Sequence, residues 1–101
     1  MKHVIFSLAG LFSLMEPAYA DPTLATSKNC MACHANDKKL VGPSFKDIAV
    51  KYAGDKTAVD MLATKIQKGG AGAWGPVPMP ANTQVSDADA KKLAAWVLNI
   101  K

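Results

Sequence analysis

With 101 residues, half of them hydrophobic and a fifth charged, the chain has room for one small domain and is too apolar to be a disordered segment. Twelve lysines, no arginine and eight carboxylates leave a formal net charge of +4. A modest surplus with no dense basic run, and no Arg to fork onto bases or phosphates, argues against nucleic acid and for an acidic protein partner.

The first twenty residues differ in kind from the rest. Met1-Lys2-His3 is a short basic start, residues 4–15 are an uncharged apolar run, and Pro17 precedes the small-residue pattern Ala18-Tyr19-Ala20. This is the layout of a secretory signal cleaved after Ala20. The run falls short of the ~20 apolar residues that span a bilayer, so no stable membrane insertion is expected. That assigns residues 1–20 to a leader and residues 21–101 to one exported domain. An apolar core in a domain of this size supplies only about 3–5 kcal/mol, so something else must staple it. The two cysteines, Cys30 and Cys33, would close too small a loop for a useful disulfide. A large apolar cofactor at the centre is the better candidate.

In chain order, Pro22 and residues 24–33 read as a first helix that carries the cysteines near its C-terminal end. Residues 38–43 form a loop closed by Gly42-Pro43. Phe45, Ile48, Ala49 and Tyr52 recur at i, i+3, i+4, i+7, one face of a second helix that Gly54 ends. Thr57-Ala58-Val59-Asp60 has capping-box spacing, with Asp in place of Glu. It opens a third helix with the face Val59, Leu62, Ala63 and Ile66, stopped at Gly69-Gly70. Residues 69–85 hold too much Gly and Pro for regular helix. Ser86-Asp87-Ala88-Asp89 caps a last helix with Leu93, Trp96, Val97 and Ile100 on one face and Lys91 and Lys92 on the other. Strand alternation is nearly absent, so the expected fold is all-α, four short helices around a long irregular loop.

Cys30-Met31-Ala32-Cys33-His34 carries the chemistry, because Cys-x-x-Cys-His is the haem-attachment pattern. On a helix, residues three and four apart share a face. Both thiols can then add to the two vinyl groups of a porphyrin, with His34 aimed at the iron. A thioredoxin-like pair needs a βαβ context that is missing, and zinc needs four ligands where the other histidine is His3 in the leader. Three methionines compete for the second axial position. Met31 sits inside the attachment motif and cannot reach the far face of the haem, and Met61 falls within a helix as a flexible core filler. Met79 lies in Trp74-Gly75-Pro76-Val77-Pro78-Met79-Pro80, where prolines lock φ and remove backbone donors, and is the expected ligand. His/Met ligation closes the iron to substrates and raises its potential, which points to an electron carrier rather than an enzyme. The rival is a five-coordinate enzyme or sensor with Met79 purely structural, disfavoured by the lack of a distal His or Arg in the loops. Gly69-Gly70-Ala71-Gly72-Ala73 has no Gly-Lys-Ser/Thr after it and is no phosphate loop; its bare backbone suits close approach to a porphyrin. Trp74 is either a core ring or an indole donor to a haem propionate.

Together with Val41-Gly42-Pro43, Asn82 and Ala94-Ala95-Trp96-Val97-Leu98, these motifs resemble the small bacterial class I cytochromes of the c-551/c-552 (c8) type over essentially all of residues 21–101. The Trp-Gly-Pro-x-Pro-Met-Pro block is specific to that type, whereas Cys-x-x-Cys-His is common to all c-type cytochromes. The resemblance implies a class I cytochrome c fold, about four short helices wrapped around one covalent haem c. It implies that the Pro43 carbonyl accepts from the second nitrogen of His34 and that Asn82 donates its amide to the Met79 sulfur. On the residues alone, Pro43 also suits a helix start and Asn82 a turn. Lys65 stands where relatives often place an Arg against a propionate, a point charge without the Arg fork. Thr83-Gln84-Val85 makes the loop one residue longer than in some relatives. The implied role is a periplasmic monomer that passes single electrons from a quinol-oxidising complex to a terminal reductase or oxidase, by transient contact with acidic redox partners. Solvated lysines, Lys28, Lys38, Lys39, Lys65, Lys68, Lys91 and Lys92, are candidates to ring the haem edge. Intact mass of the exported protein should correspond to a chain starting at Asp21 plus one haem, and the haem increment should survive acid-acetone extraction.

Overall fold

Pro22, with its fixed φ, suits a first helical turn and opens the part of the chain that the computed structural model describes, residues 22–101. The expected leader, residues 1–20, lies outside the described residues, as does Asp21. Helix α1 runs Pro22–Ser27 and does not continue to Cys33 as the sequence pattern had it. The Lys28 and Asn29 amides still bond back to the Leu24 and Thr26 carbonyls, 3.0 Å each, but Asn29 turns left-handed at φ 66°, ψ 19°. Asn visits that region more readily than most residues. The chain resumes as a single 3₁₀ turn, Cys30–Ala32.

Helix α2, Phe45–Lys51, starts where Ser44 Oγ accepts from the Asp47 amide at 3.0 Å, and the left-handed Gly54 follows its end. Helix α3, Ala58–Lys68, lacks the expected capping box. The Thr57 amide and hydroxyl both donate to Asp55 Oδ1, at 2.8 and 2.7 Å. A turn built by the preceding aspartate takes the hydroxyl that would have capped the helix. The same two bonds hold the Asp55 carboxyl below the usual carboxylate range. Helix α4, Asp87–Leu98, is capped as its sequence indicates, Ser86 Oγ accepting from the Asp89 amide at 3.1 Å.

The segment expected to be irregular contains a short antiparallel ladder. Strand β1, Gly70–Gly72, pairs with β2, Gly75–Met79, placing Gly70 opposite Met79 and Gly72 opposite Gly75. A strand of Gly-Ala-Gly has no side chains to alternate, so it leaves no period-two signal. The prolines of β2 remove amides from the ladder and restrict it to this edge-like pair.

Helix α3 packs across α4, and the buried cluster between them is mostly alanine: Ala25, Ala63, Ala90 and Ala94, with Val85 and Leu93. A second cluster joins Phe45, Ile48 and Val97. The larger inward-facing side chains of the helical patterns, Tyr52, Leu62, Ile66 and Trp96, are only part-buried. They border a cavity instead of closing a solid core. No helix among the described residues is long and apolar enough to cross a membrane. Leu93, 2% exposed, is the largest fully buried side chain, and Leu93→Ala should cost about 2–5 kcal/mol in denaturant unfolding. Val50→Ala, at a position 73% exposed, should change stability by less than about 0.5 kcal/mol.

Candidate functional site

The attachment motif closes on itself. The Cys33 and His34 amides both donate to the Cys30 carbonyl, at 3.2 and 3.1 Å, so one tight turn replaces the expected helical stretch. One turn is enough: Cys30, Cys33 and His34 all line the same cavity, of about 460 Å³, a size typical of small-molecule and cofactor sites. The two cysteines form no disulfide with each other, and burial pushes the Cys30 thiol above its ordinary value.

His34 is 9% exposed, and its Nδ1 lies 2.7 Å from the Pro43 carbonyl. A carbonyl can only accept, so Nδ1 is the donor, and in the neutral imidazole Nε2 is the nitrogen with the lone pair. Phe45 stacks on the imidazole at 4.9 Å and 23°, and Trp96 meets Phe45 edge-on at 5.3 Å. The loop before α2 is strapped to the attachment turn, the Gly42 amide donating to the Cys33 carbonyl at 2.8 Å and the Phe45 amide to Ala35 at 2.9 Å. Gly42 faces the ring so closely that an added Cβ would sit 2.6 Å from His34 Cε1. The sequence offered Gly42 as part of a motif; its reason, room for the imidazole, needs the fold.

Met79 ends β2, part-buried and lining the same cavity. Its neighbours are held by backbone. Gly69, at φ 74°, lets the end of α3 press on residues 79–81, an added Cβ falling 2.8 Å from the Ala81 nitrogen and 2.9 Å from the Pro80 carbonyl carbon. The Asn82 backbone amide and side-chain Nδ2 both donate to the Ile66 carbonyl, at 3.1 and 2.9 Å. Asn82 Nδ2 also reaches the Pro80 carbonyl, at 3.4 Å. Carbonyls in the last turn of a helix have no intrahelical partner, and an amide oxygen accepts more strongly than a thioether. Asn82 therefore pins the Met79 segment through the backbone and does not line the cavity. Met61 also departs from expectation, being 36% exposed and on the cavity lip, and Met31, equally exposed, lies outside it.

Pro43, Lys65 and Trp74 line the same cavity. Lys65 folds over Gly70, its Nζ 2.9 Å from where a Cβ there would stand. Trp74 is 43% exposed, with the Lys51 ammonium 5.4 Å from its ring centroid. Among the described residues no three His, Cys, Asp or Glu side chains gather as a metal site, so zinc has no ligand set there. Two thiols and an imidazole from one turn, a thioether from the end of β2 and apolar side chains, all lining one cavity, fit a haem. Gly42→Ala should drive the imidazole off its Pro43 bond and cost about 1–3 kcal/mol by overpacking. Denaturant unfolding and the shift of the His34 Nδ1 proton would register the two effects.

A family model described as cytochrome c matches residues 22–101. Cytochrome c-552 of Hydrogenobacter thermophilus is 53% identical over 96 residues, covering 95% of this chain and 97% of that protein. Cytochrome c-551 of Azotobacter vinelandii is 56% identical over 77% of this chain and 94% of its own length. The crystal structure of Nitrosomonas europaea cytochrome c552 superposes with a TM-score of 0.78 at 54% identity, covering 80% of this chain and all of that one. The chain therefore belongs to the cytochrome c family, as a small member of the c-551/c-552 type with one covalent haem c.

Proposed function

We propose that this c-type cytochrome is a periplasmic carrier of single electrons in which His34 Nε2 and Met79 Sδ are the two axial ligands. The observation that carries the reading is that both side chains line one cavity and both are held from behind by backbone. His34 is fixed by the Pro43 carbonyl at 2.7 Å, and Met79 by the end of α3 pressing through Gly69 and Asn82. The haem supplies the Fe(II)/Fe(III) exchange.

The chain's own residues set its terms. His34, with Nδ1–H committed to Pro43, presents a lone pair of fixed direction and needs no reorientation between oxidation states. The soft Met79 sulfur favours the reduced ion and raises the potential. With both positions filled by protein, no site is left for a substrate. Phe45, Ile48, Leu93 and Val97 keep the interior apolar, while Trp74 and Lys65 stand at the cavity where a donor and a cation can meet the propionates. Cleavage after Ala20 would release residues 21–101 as a monomer. The positive surplus suits brief docking on acidic redox partners, with a quinol-oxidising complex as donor and a terminal reductase or oxidase as acceptor.

Carbon monoxide separates this reading from an open haem. The reduced protein should resist carbon monoxide at neutral pH, since binding must first displace a held thioether. Met79→Ala should bind it readily, lose the weak far-red band of the oxidised form and shift to lower potential. Met61→Leu should leave all three properties alone and cost less than about 1.5 kcal/mol. Fast, tight binding by the unmutated protein would replace the carrier with a sensor or an enzyme.

A further inference from the structure

Two walls of the cavity have little to hold them together. Helix α2 and its C-cap provide Phe45, Ile48 and Tyr52, and the β1–β2 hairpin provides residues 70–74 and 76–79. Among the described residues no hydrogen bond or ion pair joins them. What spans the gap is the side chain of Lys51, in the last turn of α2. Its ammonium lies 5.7 Å from the Tyr52 ring centroid and 5.4 Å from that of Trp74, one of the two residues between the strands. Both distances fall within the ~6 Å over which a cation is attracted to a ring face. A solvated lysine gains nothing by settling between two rings unless those rings hold it, and the attraction acts equally on the rings.

We propose that Lys51 is a positioning residue that latches the hairpin tip to α2, fixes the Trp74 indole at the cavity mouth and so helps set the haem's reduction potential. The inference rests on reading the cavity as a haem site. Two effects act in the same direction. A cation near the haem disfavours the additional positive charge of Fe(III), and a held indole keeps water from the edge, as burial raises potential. Losing the Lys51 charge removes the first effect, and freeing Trp74 weakens the second.

The test uses the holoprotein with Lys51→Met, Lys51→Arg, Trp74→Leu and the Lys51→Met/Trp74→Leu double variant. Lys51→Met keeps the aliphatic stem and removes the charge. It should speed hydrogen exchange of the Trp74 indole N–H by about two- to fivefold, the range expected for losing an exposed cation–ring contact. It should also shift the redox equilibrium about two- to threefold toward Fe(III), some 18–28 mV at 59 mV per tenfold. Lys51→Arg, which stacks on rings as well or better, should restore both readouts. In the Trp74→Leu background the potential shift should shrink, because coupled residues are not additive. An unchanged indole exchange rate in Lys51→Met, or the same potential shift with and without Trp74, would reduce Lys51 to a nearby charge. The far-red band of the oxidised samples reports Met79 separately: its absence in the unmutated protein would overturn the axial assignment while leaving the indole measurement a valid test of the latch.

Discussion

The bond from His34 Nδ1 to the Pro43 carbonyl is the constraint to which the rest of the site conforms. For the ring to reach that carbonyl, the loop before α2 must lie against the attachment turn, and the Gly42–Cys33 and Phe45–Ala35 backbone bonds place it there. The ring then fills the space where a side chain at position 42 would be. Phe45 covers its face, and Trp96 on α4 covers Phe45. A single hydrogen bond thus relates the attachment turn to α2 and α4, and it fixes which imidazole nitrogen is left for a metal.

A chain this short builds its interior around something it does not itself contain. The protein-only core is alanine-rich, so α3 and α4 approach closely and the bulk of the interior is left to the cavity. Alanine burial contributes little apolar area per residue. The part-buried Leu62, Ile66, Tyr52 and Trp96 hold apolar surface in reserve for the cofactor. Covalent attachment and fold stability are therefore two aspects of one arrangement, as in other small domains that depend on a bound group to complete their core.

Much of this was legible in the sequence, and the failures have physical causes. Cys30, Cys33 and His34 were readable because thioether attachment demands a fixed spacing, and Met79 stood out because prolines on both sides stiffen its segment. The faces of α2, α3 and α4 followed from helical periodicity. The first helix was drawn too long because apolar spacing does not register one left-handed residue, Asn29. The capping box at Thr57 lost to a turn at Asp55 that uses the same hydroxyl. The hairpin was invisible because β1 has almost no side chains. The Asn82 bonds to the Ile66 carbonyl were not legible, since that acceptor exists only once α3 ends nearby. Lys51 gave no sign at all: a lysine next to a tyrosine is unremarkable until a tryptophan twenty-three residues on returns to its other side.

Asn82's two bonds to the Ile66 carbonyl have a consequence for kinetics. Helix ends fray at low free-energy cost, and their openings are local, fast and cooperative over a turn or so. Because the strap behind Met79 is anchored in the last turn of α3, that strap can be no longer-lived than the turn itself. Loss of the Ile66 carbonyl from helical geometry would release Asn82 and slacken the strap, leaving Met79 to its ladder pairing with Gly70. The stiffness of the backing behind the thioether thus depends in part on the opening of a helix terminus, to which Lys65, Ile66 and Gly69 contribute.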